Sequence, residues 1–466
     1  MTPFSAPFST PFSTLSLPPA LLRALAEISY VEMTPVQEES LPAILAGRDV
    51  VAQAKTGSGK TAAFALGLLS ALDASAVKLQ GLVICPTREL ADQVSREIRR
   101  LARFIPNVKV LTLCGGVPLR PHLASLSHEP HIVVGTPGRL LELIEKEALP
   151  LQSLKLLVLD EADRMLDMGF ADDIRSIVAK VPRQKQTLLF SATIPDPIRL
   201  ISRQFQRDPL DVTVTDDAAV ELIEQTFFEV EAERKPDALI DLLLVYRPES
   251  VVVFCNTRQD VRDIAARLDE QGFSVLALHG ELDQREREEM LLRFANRSCT
   301  ILVATDVAAR GLDINELPMV INFDLASDAD THLHRIGRTG RAGRSGSALS
   351  LVSPREMKRA NLIEDRQGEP LRWDSVPVAE AGLEPLIAPF VTIAVDAGRQ
   401  DKLRPGDLLG ALTGDAGIAA SEVGKIDVFP TRSYAAIARR SHEKAMQRLR
   451  TGKIKGKTFR IRRIGR

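Results

Sequence analysis

Short apolar runs alternate with amphipathic stretches over residues 20–365, and this alternation limits the chain to a few folds. A parallel strand that is buried on both faces is continuously apolar, and strands alternating with helices are typical of βαβ units. The runs form two series, which predict two tandem doubly wound α/β domains. The first series is Gly81–Cys85, Val108–Leu113, His131–Val134, Leu154–Leu159 and Thr187–Phe190. The second is Val251–Cys255, Ser274–Leu278, Thr300–Ala304 and Met319–Asn322.

The stretch Arg207–Glu221 separates the two series and predicts a junction. The first domain is therefore predicted over residues 15–209 and the second over 210–365. Residues 1–14 contain three Pro-Phe-Ser repeats, which predict a mobile low-complexity segment. Residues 366–385 are predicted to be a linker.

Residues 386–466 have a different pattern, in which two predicted helices lie among four predicted strands. The order β-α-β-β-α-β is that of a ferredoxin-like (RRM-like) α+β domain. The predicted strands are Val391–Val395, Gly424–Phe429, Ser433–Ala438 and Ile454–Ile461, and the predicted helices are Leu403–Leu412 and Ser441–Leu449.

The net charge of −1 conceals an uneven distribution. Residues 386–466 contain 17 Lys and Arg against 7 Asp and Glu, so the remainder of the chain is acidic. A basic module on an acidic body indicates contact with a polyanion such as a nucleic acid. A solubilising basic tail is the alternative.

Composition also restricts the compartment. No apolar run reaches the ~18 residues that a membrane helix needs, and the first residues lack the basic character of a secretory signal. The four cysteines form no Cys-x-x-Cys pair, which disfavours a disulfide framework or a zinc site. We therefore expect a cytoplasmic protein with no membrane contact and no disulfide partner.

One glycine-containing segment follows an apolar run and precedes a helical stretch. Glycines let backbone N–H groups approach phosphates, a lysine neutralises phosphate oxygens, and a hydroxyl contacts Mg²⁺. The spacing indicates a phosphate-binding loop, with a glycine-rich turn before a helix as the alternative. Its residues are Ala54, Lys55, Thr56, Gly57, Ser58, Gly59, Lys60 and Thr61.

Asp160 and Glu161 directly follow the apolar run Leu156–Leu159. A carboxylate at the end of a buried strand is the expected Mg²⁺ partner when a phosphate-binding loop precedes it in the chain. The adjacent Glu161 is then placed to polarise an attacking water. Without that loop, the same residues would indicate a solvated turn.

Arginines recur at short intervals between His334 and Arg344, in a domain that has no phosphate-binding loop of its own. Such a segment indicates either nucleic-acid contacts or arginine fingers that act on ATP held by the first domain. A basic surface loop is the third interpretation.

Taken together, these blocks resemble the motifs of the DEAD-box RNA helicases, which contain two RecA-like domains. The resemblance covers residues 12–365, and its one departure is Ser29, where the family usually has Gly. The matching blocks are Phe12, Tyr30 with Thr34–Gln37, Ala54–Thr61, Pro86–Leu90, Gly115–Gly116, Thr136–Arg139, Asp160–Asp163, Ser191–Thr193, Val253–Thr257, Gln284–Arg287, Ala304–Ile314 and His334–Arg341.

The resemblance implies that ATP and Mg²⁺ are the cofactors. It implies that Gln37 reads the adenine edge and Tyr30 stacks on the base. Thr61 and Asp160 are then the metal ligands and Glu161 is the general base. The catalytic set also includes Lys60, His334, Arg338 and Arg341, and Gly311 and Asp313 contribute to nucleotide binding.

The resemblance also implies RNA as the partner. The implied backbone contacts are Pro86, Thr87, Arg88, Gly116, Thr136, Arg139 and Thr305. Coupling between the ATP and RNA sites is implied for Asp163, Ser191 and Thr193, together with His334.

The segments Lys402–Leu412 and Gly452–Arg460 further resemble the DbpA subfamily, which implies a target in 23S rRNA during assembly of the large ribosomal subunit. The predicted strand Ser433–Ala438 holds one aromatic residue, whereas an RRM that stacks bases on its sheet has two or three. We therefore expect RNA contacts at the basic loop. Its lysines are Lys453, Lys455 and Lys457.

The predicted function is RNA-stimulated ATP hydrolysis by a monomer that separates short RNA duplexes locally and not processively. A non-catalytic, ATP-gated RNA clamp is the alternative from another class, and the complete catalytic set disfavours it. A DNA helicase is disfavoured by the Asp-Glu-Ala-Asp sequence at 160–163, and a GTPase by the lack of Asn-Lys-x-Asp.

Overall fold

The computed structural model describes residues 10–55, 57–214, 223–309, 317–340, 345–415 and 417–465. They form two compact units that divide near residue 217. The first unit contains one sheet and the second contains two. Among these residues, no helix is both long and apolar enough to cross a membrane.

The first unit is a parallel sheet with helices on both faces. Its strands are β1 (Val50–Gln53), β2 (Gly81–Ile84), β3 (Val110–Leu113), β4 (Ile132–Gly135), β5 (Leu156–Asp160), β6 (Gln186–Ser191) and β7 (Leu210–Thr213). Its helices are α1 (Pro19–Glu27), α2 (Pro35–Leu45), α3 (Lys60–Ser70), α4 (Arg88–Leu101), α5 (Leu119–Leu126), α6 (Pro137–Glu145), α7 (Ala162–Asp167), α8 (Ala171–Lys180) and α9 (Asp196–Phe205). The strand order is β3-β4-β2-β5-β6-β1-β7, and an apolar cluster lies on each face of the sheet.

The second unit begins with a sheet of the same topology. Its strands are β8 (Ile223–Glu229), β9 (Val251–Phe254), β10 (Val275–Leu278), β11 (Ile301–Ala304), β12 (Met319–Asn322), β13 (Gly346–Val352) and β14 (Trp373–Asp374). Its helices are α10 (Lys235–Tyr246), α11 (Arg258–Glu270), α12 (Gln284–Ala295), α13 (Asp306–Ala309), α14 (Ala329–Ile336) and α15 (Met357–Gln367). The order β10-β11-β9-β12-β13-β8-β14 repeats that of the first sheet strand for strand, which confirms the prediction of two RecA-like domains.

The C-terminal part of the second unit is a small antiparallel sheet with helices on one face. Its strands are β15 (Phe390–Val395), β16 (Val423–Val428), β17 (Ser433–Ala438) and β18 (Ile461–Ile464), and its helices are α16 (Pro405–Gly410) and α17 (His442–Thr451). The strand order β16-β17-β15-β18 confirms the predicted ferredoxin-like architecture.

The last strand, however, lies later than predicted. The sequence predicts a strand over Ile454–Ile461, but β18 begins only at Ile461. Lys455 and Gly456 both have positive φ, and Ile454 and Lys457 bridge across the turn that they form. The turn interrupts an apolar pattern that continues on either side of it.

Three further expectations need correction. Residues 366–385 are predicted to be a linker, but Trp373–Asp374 forms strand β14 beside β8, so the second sheet extends into that segment. Leu210–Thr213 lies within the predicted junction but forms strand β7 beside β1, so the first fold extends past the predicted boundary at residue 209. Residues 10–14 belong to the segment predicted to be mobile, yet Phe12 is buried and the N–H of Met33 donates to the carbonyl of Thr10. Residues 1–9 lie outside the described part of the chain.

The C-terminal sheet packs one face on α12 of the same unit. Leu292 of α12 forms an apolar cluster with Ala394, Tyr434 and Ile464. Beside it, the hydroxyl of Thr392 lies 2.9 Å from Nδ2 of Asn296. An RRM ordinarily stacks bases on this face of its sheet, and here protein covers these positions.

Candidate functional site

Except for Tyr30 and Gln37, which precede β1, the predicted site residues of the first unit follow the carboxyl ends of its strands, where open α/β sheets bind ligands. The nucleotide motifs follow β1, β5 and β6, which are neighbours in the sheet. The predicted RNA-binding segments follow β2, β4 and β3, which are also neighbours. One edge of the sheet is therefore divided into two adjoining halves, with the division between β5 and β2.

The phosphate-binding loop joins β1 to α3. Gly57 and Gly59 have φ of +89° and +94°, which glycine adopts without strain. Lys60 is buried, and its Nζ donates to the carbonyl of Ala54 over 2.7 Å. The lysine is therefore held at the base of the loop, with the helix N-terminus beside it. Thr56 lies outside the described residues.

The predicted adenine reader, Gln37, contacts this loop directly. Its Nε2 donates to the carbonyl of Gly59 over 3.0 Å, and its Oε1 accepts the N–H of Thr34 over 2.9 Å. A Cβ at Gly59 would collide with Nε2 of Gln37, so this contact requires glycine. A primary amide has two donor hydrogens and two acceptor lone pairs, so one of each remains. Those two groups match the N7 acceptor and the N6 donor of adenine.

Tyr30 is half-buried against the last turns of α4. The guanidinium of Arg100 lies 5.6 Å from the centre of its ring. Burial, followed by the nearby Glu97 carboxylate, raises the pKa of the phenol. The ring is therefore neutral at physiological pH and has a cation against it.

The acidic residues follow β5. Asp160 is buried, and burial raises the pKa of its carboxyl to about 7, although Lys60 acts in the opposite direction. Glu161 adopts the left-handed backbone conformation, with φ of +52°. A non-glycine residue in that conformation costs about 1–3 kcal/mol, and such residues are concentrated at functional sites. The Glu161 carboxylate is buried 3.3 Å from Nε of Arg164.

The donor set present fits Mg²⁺. This ion prefers hard oxygen ligands and is commonly held by one or two carboxylates together with substrate phosphates. Asp160 offers a carboxylate whose burial disfavours its charged form, a cost that an adjacent cation offsets. Thr61 offers a hydroxyl in the first turn of α3.

The three residues predicted to couple the two sites in the first unit contact one another. The N–H of Asp163 donates to Oγ of Ser191 over 3.0 Å. Oδ2 of Asp163 accepts the N–H and the hydroxyl of Thr193 at 3.0 and 3.1 Å. Ser191 also accepts, at its carbonyl, the N–H of Ala54. This network joins β5 and β6 to the phosphate-binding loop.

On the other half of the edge, threonines cap helices and order the loops. Oγ1 of Thr87 accepts the N–H of Leu90 at the start of α4. Oγ1 of Thr136 accepts the N–H of Gly115 over 3.2 Å, which joins the loops after β3 and β4. Gly116 has φ of +78°, and no other atom lies near the position of a Cβ there. Pro86 and Arg88 flank Thr87 at the end of β2 and the start of α4.

Arg139, which is predicted to contact RNA, has partners within the unit. Its Nη2 donates to the carbonyl of Val117, its Nη1 lies 2.7 Å from Nδ1 of His122, and its Nε lies 3.1 Å from Glu142. All three guanidinium nitrogens are therefore engaged within the unit. In this structure Arg139 supports the loop that carries Gly116.

In the second unit, sequence reasoning missed a buried arginine. Arg335 is about 2% exposed, and its guanidinium forms a bidentate ion pair with Asp306 at 2.6 and 2.7 Å. It also donates to Oδ1 of Asn256 and to the carbonyl of Asp324. It thus joins three separate segments that follow strands of this sheet. The signal that could have identified Arg335 was its place in the sequence, beside the predicted site residues His334 and Arg338.

The other predictions in this unit are placed individually. Thr305 follows β11, and its Oγ1 accepts the N–H of Ala308. His334 lies in the last turn of α14, and Arg338 follows it and is buried. Gly311, Asp313 and Arg341 lie outside the described residues.

The C-terminal lysines are solvent-exposed. Lys453, Lys455 and Lys457 all lie in the turn before β18. Nζ of Lys455 donates to the carbonyl of Lys402 over 3.0 Å and lies 3.4 Å from Asp407. This lysine therefore fixes the turn against the loop that precedes α16.

Comparisons with known proteins agree with this geometry. Three family models match: DEAD/DEAH box helicase over residues 34–201, helicase conserved C-terminal domain over 234–343, and DbpA RNA binding domain over 392–463. The ATP-dependent RNA helicase DbpA of Escherichia coli (strain K12) is 54% identical over 446 residues, which are 96% of this chain and 97% of the relative. A DEAD-box ATP-dependent RNA helicase CshA of Bacillus cereus is 42% identical over 79% of this chain and 70% of its own. The solved structure of S. cerevisiae Dbp5 bound to RNA and ADP BeF3 matches with a TM-score of 0.71 and 29% identity, over 78% of this chain and 96% of that one.

Proposed function

The chain belongs to the DEAD-box ATP-dependent RNA helicases of the DbpA type, and from that premise we propose how its parts divide the work. The edge of the first sheet at β1, β5 and β6 binds and hydrolyses ATP. The adjoining edge at β2, β3 and β4 binds the RNA backbone. The C-terminal domain directs the enzyme to 23S rRNA during large-subunit assembly. The network of Asp163, Ser191 and Thr193 supports this proposal most strongly, because it joins the acidic residues after β5 to the segment after β6 and to the phosphate-binding loop.

At the nucleotide half, the free donor and acceptor of Gln37 select adenine, and Tyr30 stacks on the base. Lys60 exchanges the carbonyl of Ala54 for phosphate oxygens and neutralises their charge. Thr61 and Asp160 hold Mg²⁺, which, when bound, neutralises charge that develops on the phosphate oxygens. Glu161 accepts a proton from the attacking water.

We propose that the second unit completes the reaction. Arg338 and Arg341 act as arginine fingers on the transferred phosphate, a role worth about 10³–10⁵ in rate. Arg335 is a positioning residue for them, because its ion pair with Asp306 holds the helix α14 that precedes Arg338. His334 couples this segment to the network of Asp163, Ser191 and Thr193. Asp313 contacts the ribose of the nucleotide.

RNA binds through capped loops and not through base edges, so the core does not read sequence. We propose that ATP favours the closed arrangement in which one strand is held in a bent form that a duplex cannot adopt. Each stacked step is worth about 1–2 kcal/mol in a DNA duplex, so a single closure separates only a few base pairs. Duplex separation is therefore local.

Targeting is proposed for the C-terminal domain because residues 439–466 contain twelve Lys and Arg and one Glu. Such density favours phosphate contacts that weaken steeply with salt. The exposed lysines Lys453, Lys455 and Lys457 lie together in one turn, and the sheet face opposite the helices is packed on α12.

The experiment measures ATP turnover against a panel of structured RNAs that includes fragments of 23S rRNA. The combined substitution of Lys453, Lys455 and Lys457 by Ala is expected to remove the preference for ribosomal RNA and to retain turnover on unstructured RNA. Glu161→Gln is expected to lower turnover on every RNA by at least ~10², the usual contribution of a general base, while ATP still binds. Lys425→Ala, at an exposed lysine on β16, is the matched control. Equal loss on all RNAs for the lysine variant contradicts the targeting role, and retained turnover by Glu161→Gln contradicts its role as base.

A further inference from the structure

Phe429 is an aromatic residue that the proposed function does not use. It is 42% exposed, and every other described aromatic residue of the C-terminal domain is buried or partly buried. It occupies the first position of the hairpin turn between β16 and β17, where its N–H donates to the carbonyl of Arg432 over 2.7 Å. A single exposed apolar residue is common on protein surfaces, so the case for a partner depends on how the ring is held and on what surrounds it.

The hairpin that carries Phe429 is held firmly. The N–H groups of Arg399 and Gln400 donate to the carbonyls of Phe429 and Pro430, each over 2.9 Å. Gly398 permits this approach, since a Cβ there would collide with both carbonyls. Tyr434 supports the ring with an edge-on contact at 5.6 Å between centroids and 84° between planes. One face of the Phe429 ring is therefore presented at little entropic cost.

The surroundings of Phe429 are strongly basic. Backbone bonds and the Lys455 contact bring segments 396–407, 429–432 and 453–462 together at one end of the domain. These segments contain nine Lys and Arg and three Asp, and no Glu. Each of the three aspartates already accepts a hydrogen bond or forms an ion pair within the domain. The charge favours a polyanion and disfavours a basic or purely apolar protein partner.

Two arginines at this end of the domain share one carboxylate. Asp396 lies 3.4 Å from Nε of Arg432 and 3.7 Å from Nε of Arg462. One carboxylate thus serves two guanidinium groups. Nε and Nη2 of Arg462 are buried and make no hydrogen bond. The rest of the side chain is accessible, since Arg462 keeps 31% of its side-chain surface exposed. A phosphate or a base edge is an acceptor that this guanidinium can reach.

We propose that Phe429 stacks on one unpaired base of the RNA, while Arg432 and Arg462 contact the phosphate or the edge of that nucleotide. This deepens the proposed function, since it rests on RNA binding by the C-terminal domain. It places the base contact at the hairpin turn and not on the sheet face, which α12 covers. A single stacking position lets the domain distinguish an unpaired nucleotide from a duplex, and the lysine turn alone does not supply that distinction.

The test is a thermodynamic cycle with the full-length chain. The probe is a fluorescently labelled RNA hairpin with a mixed-sequence loop, and a second probe has the same stem and an abasic loop. Phe429→Ala is expected to weaken binding of the intact hairpin about 10-fold, as loss of one stacked base does, and to leave binding of the abasic hairpin unchanged. Phe429→Trp is expected to retain the affinity. Phe429→Leu keeps an apolar side chain without an aromatic face and is expected to behave as Phe429→Ala.

Tyr246→Ala is the matched control, because Tyr246 of α10 is also 42% exposed. It is expected to leave the affinity for both probes unchanged. The inference is overturned if the wild-type chain binds both hairpins equally, if Phe429→Ala weakens both equally, or if Phe429→Leu matches the wild type. A chain that binds neither hairpin, and whose ATP turnover neither stimulates, refutes the proposed function as well, so the two failures are distinguishable.

Discussion

The two parallel sheets share one topology, yet the first holds the proposed nucleotide site and the second holds a salt bridge at the corresponding place. In the first sheet, β1 leads into α3, whose first residue is Lys60; in the second, β8 leads toward α10, whose first residue is Lys235. Both lysines are buried. Asp160 ends β5, and Asp324 follows β12, which occupies the same place in its sheet.

The partners of the two lysines differ. Lys60 donates to the carbonyl of Ala54, which carries no net charge. Lys235 lies 2.6 Å from the Glu356 carboxylate and 3.6 Å from that of Asp324, and it also donates to the carbonyl of Phe323. The charge of Lys60 is thus available to neutralise a phosphate, whereas protein carboxylates already neutralise the charge of Lys235.

The comparison shows that topology provides a place for a ligand and that local charge decides its use. A cavity of about 350 Å³ adjoins Lys235, and its lining includes Asp260 and Asp263 in addition to Asp324 and Glu356. With four carboxylates and one lysine, the lining of this cavity carries negative charge, which repels a nucleotide. This charge favours the proposal that the second unit contributes arginines, and not a phosphate-binding loop, to the reaction of ATP.

The largest expected effect concerns stability. Lys235→Ala leaves the buried Glu356 carboxylate without its cation, and such a change costs about 3–5 kcal/mol of unfolding free energy. Lys60→Ala is expected to cost much less, because Asp160 is readily protonated. Urea denaturation of both variants checks this difference. Equal losses for the two lysines would remove the distinction between the sites.

A smaller effect is expected from His332, which has no counterpart in the nucleotide half of the first sheet. His332 is fully buried, stacks on Phe227 at 5.8 Å and lies 3.1 Å from Oε1 of Gln225. Burial, followed by Arg335, lowers the pKa of its imidazole to about 3. Between that value and the ordinary 6.5, the unfolded chain binds a proton that the folded chain excludes.

His332 therefore makes its full contribution to the free energy of unfolding above about pH 6.5. That contribution decreases as the pH falls toward 3. Between pH 6.5 and pH 5 the loss is about 2 kcal/mol. His332→Gln, which can keep an amide contact with Gln225, is expected to lessen the acid sensitivity of the second unit by that amount. Denaturation of both proteins at the two pH values measures it. Parallel pH profiles would show that His332 does not titrate on unfolding.

The nucleotide half was predictable from sequence because its chemistry is local. Phosphate binding places Gly57, Gly59, Lys60 and Thr61 within one short segment, and the buried strand before Asp160 is continuously apolar. The fold was equally accessible, since most of its parallel strands are continuous apolar runs. Edge strand β7 alternates in exposure and gave no such run.

Features that depend on distant partners were not predictable. Arg335 binds Asn256, which is 79 residues away, and Lys235 binds Glu356, which is 121 residues away. No spacing in the sequence indicates either pair. The occupied guanidinium of Arg139 was missed for the same reason, because Val117 and His122 meet it only through the fold.

Calorimetric titration of the full-length chain with a non-hydrolysable ATP analogue in the presence of Mg²⁺ tests the central claim most directly. We expect one nucleotide per chain, with binding abolished or strongly weakened by Lys60→Ala and unchanged by Lys235→Ala at a temperature where that variant is folded. Two nucleotides per chain, or equal loss of binding in both variants, would contradict the assignment of the two sheets to different roles.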